Sequence, residues 1–393
     1  MPDVDGPRLM TNEEYDETMA LVDHVFNNQP GGFQRVNPHS YNPDAPEHHA
    51  VVRVDGKVVS HVGCTPQHLV VGSDAPVECW GITGVATHPR HRGNGYMSAL
   101  MNFWAERMGE SDVPLANLFG DRVRYQRFGY EIAGRQCSFS ISERSMPDTD
   151  VSEDTIRQYT GDREDLALIR RFHERDTLRV RRNPDNHRAF FEREDLETLI
   201  YEDSGTVAYI GFNRSGAGKN LIEVGGDADG IHTLLAYLFE TYDTESIPTF
   251  RGSNSSGGVS LSVHPRHPLT QLFDRISTTC ELVPHQMLRI ADLPATLKAF
   301  EGQLRSNRRI RSVGEERVTL GLIDRPKSVK IAVVDNDLSV TSVKAAPDLR
   351  LTRLEMTRLL FGAPHLPSAL LEQHPILEAI LPLEYYIPSL DQV

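Results

Sequence analysis

One stretch constrains this chain more than any other, because residues 82–109 read as a strand, a tight glycine loop and a helix in succession. The strand-like run stops at Pro89, and a basic, glycine-rich loop follows over residues 90–95. Apolar side chains then recur at the spacing of one helix face, namely at Met97, Leu100, Met101, Trp104 and Met108. Gly109 is the predicted end of this helix. Because a glycine loop exposes backbone N–H groups and a helix dipole attracts anions, the stretch predicts a pyrophosphate cradle.

Charge and composition indicate the number of domains and argue against one class of partner. At 393 residues the chain is long enough for two or three domains, and 39% hydrophobic residues are enough to build real cores. The formal net charge of −14 argues against nucleic acid as the main partner. It is compatible with a cationic substrate, although an acidic surface also serves solubility alone.

Neither a membrane segment nor a metal site is expected. No apolar run approaches the roughly 20 residues of a bilayer span, and the first residues lack the basic start and apolar core of a signal peptide. The cysteines at positions 64, 79, 137 and 280 show no metal-ligand spacing. Their scarcity fits a reducing compartment, so we predict a cytoplasmic protein without a disulfide scaffold.

The first third of the chain predicts a helix followed by an antiparallel meander. Residues 11–14 (Thr-Asn-Glu-Glu) fit a capping box before an apolar helix face. Asp55-Gly56 is a strong hairpin signal, and a strand over residues 77–87 follows it. The further elements predicted here are a strand at 115–119, a helical segment at 122–127 and a strand at 130–140. A strand–helix–strand unit of this kind joins its strands in parallel.

The same order of elements recurs in the middle of the chain. The second set comprises a helix near residue 166, a hairpin around Ser204-Gly205, a strand at 221–224, a helix at 231–242 and a strand at 247–250. This recurrence predicts a structural duplication. In the second copy, Asp227 and Asp229 stand where Arg90 and Arg92 stand in the first. Because carboxylates repel a pyrophosphate, we expect the second copy to be catalytically silent.

A third region begins near Pro284. Its predicted elements are three short strands at 318–323, 329–334 and 338–343, and helices at 351–360 and 368–381. Residues 384–393 are apolar and aromatic, whereas free tails are normally polar. We therefore predict a mixed α/β chain that ends in a compact α+β module, with its tail packed against the protein.

Three kinds of nucleotide loop compete for residues 90–98. A P-loop needs Gly-Lys-Ser/Thr at the start of the helix, and Gly95-Tyr96-Met97 lacks it. A dinucleotide fold needs Gly-x-Gly-x-x-Gly directly after its strand. Here Ser98 replaces the third glycine, and Pro-Arg-His-Arg separates the strand from the glycines. The remaining pattern is Arg-x-x-Gly-x-Gly/Ala preceded by Val-x-x-x-Pro.

Residues 84–97 resemble the acyl-coenzyme A loop of the GNAT acetyltransferase superfamily. They read Gly-Val-Ala-Thr-His-Pro-Arg-His-Arg-Gly-Asn-Gly-Tyr-Met, with Met97 in place of the usual small residue. The resemblance implies that backbone groups of Val85, Ala86 and Thr87 hold the pantetheine arm. The residues it assigns to the pyrophosphate are Arg92, Gly93, Asn94, Gly95, Tyr96, Met97 and Ser98.

A second resemblance covers essentially the whole chain. Residues 124–130, Arg-Tyr-Gln-Arg-Phe-Gly-Tyr, resemble the Tyr-x-Arg-Phe-Gly-Tyr segment of the enhanced-intracellular-survival (Eis) type acetyltransferases. Those proteins combine an active GNAT domain, a degenerate GNAT domain and a sterol-carrier-like domain. The resemblance implies the same tandem order here, over residues 1–147, 148–283 and 284–393, and a homo-oligomer, a hexamer, as the assembly. The third domain could bind a lipid or serve a structural role.

The chemistry of that family implies two catalytic groups. Tyr125 corresponds to the general acid that protonates the departing thiolate, and the terminal carboxylate of Val393 corresponds to the base that takes the amine proton. Gly120 and Asp121 would flank the cofactor where two parallel strands separate. A core tyrosine and an inert, solvated terminus are the alternatives for the two groups.

These observations together predict an acetyl-coenzyme A dependent N-acetyltransferase. Its acceptor would be a small-molecule or peptide amine, such as an aminoglycoside, a polyamine or a lysine side chain. The competing class is a non-catalytic coenzyme A or lipid sensor with the same fold. We expect no metal cofactor. Residues 27–46, which could line a substrate mouth, carry no readable code for the amine.

Overall fold

The computed structural model describes residues 2–72, 75–149, 151–214, 219–242, 258–362 and 368–393. The chain divides into two compact units. The first unit comprises Met1–Gly134, Pro284–Tyr385 and Val393, and the second comprises Arg135–Val283 and Tyr386–Gln392.

The helices and strands follow one another along the chain in three groups. The first group is β1 (Val4–Leu9), α1 (Tyr15–Phe26), α2 (Gly32–Val36), β2 (His49–Val54), β3 (Lys57–Val71), β4 (Val77–Thr87), α3 (Tyr96–Glu110), β5 (Leu115–Leu118), α4 (Arg122–Gln126) and β6 (Glu131–Ser142). The second group is β7 (Ile156–Gln158), α5 (Arg163–Arg175), β8 (Leu178–Val180), α6 (Pro184–Phe191), β9 (Leu196–Asp203), β10 (Thr206–Asn213), β11 (Lys219–Gly226), α7 (Ala228–Thr241), β12 (Gly258–Val263), α8 (Thr270–Ile276) and β13 (Thr279–Ile290). The third group is α9 (Leu293–Ala299), α10 (Glu301–Ser306), β14 (Glu316–Leu322), β15 (Ser328–Val334), β16 (Asp337–Val343), β17 (Leu349–Leu351), α11 (Arg353–Phe361), α12 (Ser368–Glu372) and α13 (Pro375–Ile380).

The main sheet of the first unit has the strand order β1-β2-β3-β4-β5-β13. The strands β1 to β4 are antiparallel neighbours, β4 and β5 are parallel, and β5 and β13 are antiparallel. The predicted meander and parallel strand–helix–strand unit are therefore confirmed. The predicted boundary at residue 284 falls inside β13, so the start of the third segment completes this sheet. The division into three domains stays a prediction.

Local sequence explains the first elements of this sheet. Asp55 and Gly56 have φ angles of 50° and 77°, and a two-residue hairpin turn requires positive φ at both positions. At the start of α1, the backbone N–H of Thr11 donates to the Glu14 carboxylate at 2.9 Å, which is one half of the predicted capping box. Both sequence signals are thus confirmed.

Helices cover both faces of the sheet. Neighbouring strand residues such as Val51 and Val52 point to opposite faces, and each face packs against a different helix. The helix α3 buries Leu100, Met101, Trp104 and Met108 on the face of Val52, as the spacing of these residues predicted. The helix α1 packs on the face of Val51. Gly109 as the helix stop was wrong: the residue stays helical, and α3 runs to Glu110 with Ser111 as its C-cap.

The third group of elements adds a separate sheet to the first unit. Its strand order is β16-β15-β14-β17, with β14 and β17 parallel and the other neighbours antiparallel. The three predicted strands are confirmed. The single helix predicted over 368–381 was wrong, because Pro375 begins a new helix, α13, and so separates it from α12. In the tail, Tyr385, Ile387 and Leu390 are at most 2% exposed, so the prediction of a packed tail is confirmed.

The second unit repeats the arrangement of the first. Its strand order is β6-β12-β11-β10-β9-β7, in which β11 and β12 are parallel, like β4 and β5. The hairpin turn between β9 and β10 has positive φ at Ser204 and Gly205. The predicted duplication of helix, hairpin, strand, helix and strand is therefore confirmed, with β12 as its last strand. The strand predicted at 247–250 lies outside the described residues.

Candidate active site

The glycine loop before α3 presents open backbone to its surroundings. Gly93 and Gly95 have φ angles of 85° and 81°, and a Cβ atom on either would meet nothing within 4 Å. The first helical hydrogen bond runs from the N–H of Ala99 to the Gly95 carbonyl at 2.9 Å. The N–H groups at the preceding positions therefore have no acceptor within the helix. Such a loop at a helix N-terminus can bind a phosphate through its backbone.

A cavity of about 280 Å³ opens at this loop. Its lining residues are Thr87, His91, Arg92, Gly93, Gly95, Tyr96, Met97, Ser98 and Arg127. It thereby brings together most of the residues that the sequence assigned to the pyrophosphate. Asn94 is not among them, because its side chain turns back and donates to the His91 carbonyl at 3.0 Å.

The surroundings of the loop are electropositive. Arg92 donates through Nε to the Thr87 carbonyl at 3.3 Å, which anchors the base of its side chain beside the cavity. The pKa of His88 lies below its usual value, first through partial desolvation and then through neighbouring cationic groups, among them Arg90 and Arg92. A site that discourages a further positive charge in this way favours an anion.

Arg127, like His91, lines the cavity although the sequence did not assign it to the cofactor. Its Nη2 donates to Ser98 Oγ at 3.2 Å and contacts Met97 Sδ at 3.6 Å, while its guanidinium lies over the Phe128 ring. The signal was present in the Arg-Phe-Gly-Tyr segment. Its role at the loop depends, however, on a contact between residues about 30 positions apart, which spacing alone does not reveal.

The side of β4 that faces β5 has no strand partner near the loop among the described residues. Pairing of β4 with β5 covers Cys79, Trp80 and Gly81, whereas β4 continues to Thr87. Among the described residues, the backbone of Val85, Ala86 and Thr87 therefore faces no strand on that side. Gly84 precedes them with a φ of 52°, and a Cβ atom there would overlap the hydroxyl of the buried Tyr41. Two strands that separate in this way leave room for an extended ligand to pair with β4.

Tyr125 lies on the short helix α4, directly after β5. Asp121 caps this helix by accepting from the N–H of Arg124 at 3.1 Å. A Cβ atom on Gly120 would lie 2.7 Å from Tyr125 Cε2, so the ring packs closely on the Gly120 backbone. Tyr125 is 6% exposed, and burial raises the pKa of its phenol, against which Arg124 acts in the opposite direction. The phenol is thus protonated at neutral pH and available as a proton donor.

Val393 lies against the strand pair at the point where β4 and β5 part. A Cβ atom on Gly81 would overlap Cγ2 of Val393, and it would lie 3.3 Å from Gln67 Oε1. The Asn117 amide opposite Gly81 donates to Gln67 Oε1 at 2.9 Å. Both amide side chains are at most 4% exposed. The terminal residue therefore packs against a buried polar patch on the central strands β3, β4 and β5.

Comparison with known proteins shows what kind of domain carries this site. Residues 7–133 match the family model described as an acetyltransferase (GNAT) domain. The chain carries a GNAT acetyltransferase domain. It is an enzyme of the N-acetyltransferase class, and GNAT domains use acetyl-coenzyme A or another acyl-coenzyme A. No protein of curated function matches the chain in sequence.

Solved structures are similar to the chain over almost its whole length. A conserved protein of unknown function from Enterococcus faecalis, a probable N-acyltransferase, has a TM-score of 0.73 at 18% identity and 99% coverage of both chains. A GCN5-related N-acetyltransferase from Kribbella flavida has a TM-score of 0.67 at 19% identity and complete coverage of both. Eis1 from Mycobacterium abscessus has a TM-score of 0.61 at 15% identity, over 98% of this chain and 99% of that one. At such identities the likeness shows the shared fold.

Among the described residues, the second copy of the fold lacks an open glycine loop like the one before α3. A Cβ atom on Gly225 would meet Tyr209 and Phe172, and one on Gly226 would overlap the β10 backbone. Asp227 accepts from the N–H of Val207 at 2.9 Å, so its carboxylate closes the turn. The segment from Gly225 to Gly230 thus has no glycine with open space at its Cβ position like Gly93 and Gly95, and Asp227 brings a carboxylate to the start of α7.

The described part of the chain offers neither a metal centre nor a membrane span. No group of three or more His, Cys, Asp or Glu residues within it is arranged to hold a metal ion. None of the helices found there is long and apolar enough to cross a bilayer.

Proposed function

We propose that the chain transfers the acetyl group of acetyl-coenzyme A directly to an amine. One observation carries the proposal. The open, cationic N-terminus of α3 lies next to the part of β4 that, among the described residues, pairs with no strand on the side of β5. An extended thioester with a pyrophosphate fits both features at once. The arrangement favours direct transfer over a sensor role, because the proposed proton donor, Tyr125, and the proposed base, Val393, lie next to the same part of β4.

The residues that would hold the cofactor divide into two groups. Backbone groups of Val85, Ala86 and Thr87 would bind its extended arm, and Gly120 and Asp121 would flank it at the separation of the strands. The residues that would hold the pyrophosphate are Arg92, Gly93, Asn94, Gly95, Tyr96, Met97 and Ser98, with Arg127 added from the geometry. The bound cofactor supplies an activated acyl carbon and a thiolate leaving group.

Tyr125 is proposed to protonate the leaving thiolate. A phenol has an ordinary pKa near 10, and burial of Tyr125 raises it, so the proton is present at neutral pH. A positioned general acid of this kind typically contributes roughly 10²–10⁴-fold, because its proton moves to the sulfur as negative charge develops there. The close packing of the ring on Gly120 limits the directions in which the hydroxyl can point.

The carboxylate of Val393 is proposed to take the proton of the attacking amine. An ammonium has no lone pair, so a base must act before or during attack. An ordinary α-carboxyl has a pKa of roughly 3.3–3.7 and is a weak base unless it is desolvated or acts through water. The packing of the Val393 side chain on Gly81, beside buried Gln67, supports this assignment because it holds the terminal residue next to the strands that would bind the cofactor.

The contact between Gly81 and Val393 gives a direct test of this base. Gly81→Ala should lower kcat by roughly 100-fold, because the added methyl displaces the terminal residue and misplacement of a catalytic group by about 1 Å costs that much. Val393→Gly removes the side chain but keeps the carboxylate, so it should stay within a few-fold of the parent. The double variant should recover most of the loss.

The measurement is release of free thiol from acetyl-coenzyme A with a panel of polyamines, aminoglycosides and lysine peptides. An unchanged rate in Gly81→Ala, or a double variant as slow as the single one, would remove Val393 as the base. Thermal stabilisation by acetyl-coenzyme A without thiol release from any amine would instead favour a sensor of coenzyme A.

The finer assignments belong to the same proposal. We propose an Eis-type enzyme with a degenerate second domain and a sterol-carrier-like third domain, which acts in the cytoplasm as a homo-oligomer, a hexamer. Full-length similarity to the M. abscessus Eis1 structure supports the Eis-type architecture, and the absence of an open glycine from residues 225–230 supports a degenerate second domain. Sedimentation equilibrium of the whole chain would test the assembly.

A further inference from the structure

A buried carboxylate next to α4 has no part in the chemistry described above. Glu131 is the first residue of β6 and is 0% exposed. Its Oε1 accepts from Arg122 Nε at 2.6 Å and from the N–H of Ile132 at 2.9 Å. Its Oε2 accepts from Arg122 Nη2 at 3.0 Å, Gln126 Nε2 at 3.0 Å and Arg358 Nη2 at 2.5 Å. Both oxygens are therefore fully engaged in charge-assisted or polar hydrogen bonds.

These donors bracket Tyr125. Arg122 and Gln126 are the first and last residues of α4, and Tyr125 lies between them. Glu131 thus holds both ends of the helix that carries the proposed acid. Arg358 reaches the same carboxylate from α11, so the network also ties α4 to the C-terminal part of the first unit.

The helix needs such support. It has five residues, and isolated helices shorter than roughly 12 residues are marginal in water. Its outer side exposes Val123, which is 80% exposed, so packing secures one face alone. Burial would raise the pKa of Glu131, yet the surrounding donors outweigh it and hold the pKa at about 2. Glu131 is consequently ionised across the physiological pH range.

We propose that Glu131 is a positioning residue, which fixes the orientation of α4 and through it the Tyr125 hydroxyl. This inference rests on the proposed role of Tyr125 as the acid. It makes two separate claims: that the carboxylate restrains α4, and that this restraint matters for the chemical step.

The first unit contains a matched control. Glu14 is also buried, at 5% exposed, and is likewise held by arginines, since it accepts from Arg8 at 2.7 and 2.9 Å and from Arg53 at 2.9 Å. It stands at the start of α1 rather than next to α4. Glu14→Gln and Glu131→Gln therefore remove the same charge from similar networks, and only the second touches α4.

Hydrogen exchange tests the first claim. Glu131→Gln should raise amide exchange at residues 122–128 selectively, whereas Glu14→Gln should leave that segment at the parent's rate. Equal exchange at residues 122–128 in Glu131→Gln and the parent would overturn the proposal whatever the kinetics show. If Glu131→Gln fails to fold, Arg122→Gln removes two of the bonds and is tested in the same way.

Kinetics test the second claim. Glu131→Gln should lower kcat by roughly 10- to 100-fold and leave the KM for acetyl-coenzyme A within about threefold, while Glu14→Gln should leave both unchanged. In the Tyr125→Phe background the substitution should have no further effect on kcat. An equal loss in that background would overturn the proposal.

The two failures are distinguishable. If exchange rises at α4 but Tyr125→Phe keeps its full kcat, the acid of the proposed function is wrong, and the positioning role falls with it. If Tyr125→Phe is slow and Glu131→Gln is fast, the acid stands and the proposal for Glu131 is wrong.

Discussion

At the scale of single residues, the absence of a side chain decides where a ligand can approach. Gly93 and Gly95 face open space, whereas Gly225 and Gly226 of the second copy face rings and backbone. Met97 departs from the small residue usual at its position, yet it lines the cavity with its sulfur 3.6 Å from Arg127. A flexible thioether is adaptable enough to take this place without closing the loop.

Arg127 should contribute to cofactor binding. Arg127→Met is expected to raise the KM for acetyl-coenzyme A about five- to tenfold with little change in kcat, since one hydrogen bond from an exposed side chain contributes roughly 1–1.5 kcal/mol. Steady-state kinetics with a saturating amine would measure it. Lys57→Met, at the exposed hairpin turn, serves as the control for loss of a positive charge. Equal KM values in the two variants would exclude Arg127 from the site.

At the scale of elements, the sequence correctly predicted the turns, caps and helix faces that depend on residues close together in the chain. The capping box at Thr11, the turn at Asp55-Gly56 and the apolar face of α3 each depend on residues close in sequence, and each is confirmed. The end of α3 differed because a glycine within a helix terminates it only when it adopts positive φ. The break at Pro375 was missed because apolar periodicity continues across it.

The candidate site likewise combines residues that the sequence located with residues that only the folded chain brings together. The loop residues share one stretch, so sequence located them, and most of them line one cavity. Arg127, Glu131 and the packing of Val393 on Gly81 depend on contacts between distant segments. No spacing rule encodes how far such side chains reach. The extent of β4–β5 pairing, which sets where the strands part, is likewise a property of the folded sheet.

The tail should be released by a single substitution in the second unit. Asp391 is 2% exposed and accepts from Arg182 at 2.8–3.2 Å, while Arg182 also pairs with Glu223. Asp391→Asn leaves a buried guanidinium with one carboxylate fewer, and breaking a buried ion pair costs about 3–5 kcal/mol. We expect carboxypeptidase to release residues upstream of position 391 faster than in the parent. Asp203→Asn, at an exposed turn, should digest at the parent's rate, and equal digestion of both variants would refute the anchor.

At the scale of the whole molecule, each unit has its own cores and its own buried ion network. The first unit holds Glu14 and Glu131 with arginines, and the second holds Glu223 and Asp391 with Arg182. Buried charges of this kind contribute to a unique arrangement more than to net stability. They also make stability depend on pH.

Acid should destabilise the first unit. Hydrogen bonds from Arg8 hold the pKa of Glu14 at about 2, and the pKa of Glu131 is also about 2, against an ordinary value of 4.5. Unfolding therefore takes up protons, so the stabilisation is complete above pH 4.5 and is lost as the pH falls toward 2. Urea unfolding should show roughly 4 kcal/mol less stability at pH 3 than at pH 6, about 2 kcal/mol from each carboxylate. The combined Glu14→Gln and Glu131→Gln variant should show a flatter dependence, and an equal slope in parent and variant would contradict the assignment.

The lack of an open glycine loop among the described residues of the second copy has a consequence for stoichiometry. A chain built from two copies of one fold would suggest two equivalent ligand sites and, with them, cooperative or biphasic saturation. Since the start of α7 carries Asp227 and residues 225–230 include no open glycine, a calorimetric titration should instead follow a single hyperbola with one equivalent of ligand bound per chain. The duplicated half then acts as scaffold, and any sigmoidal response would have to arise between chains.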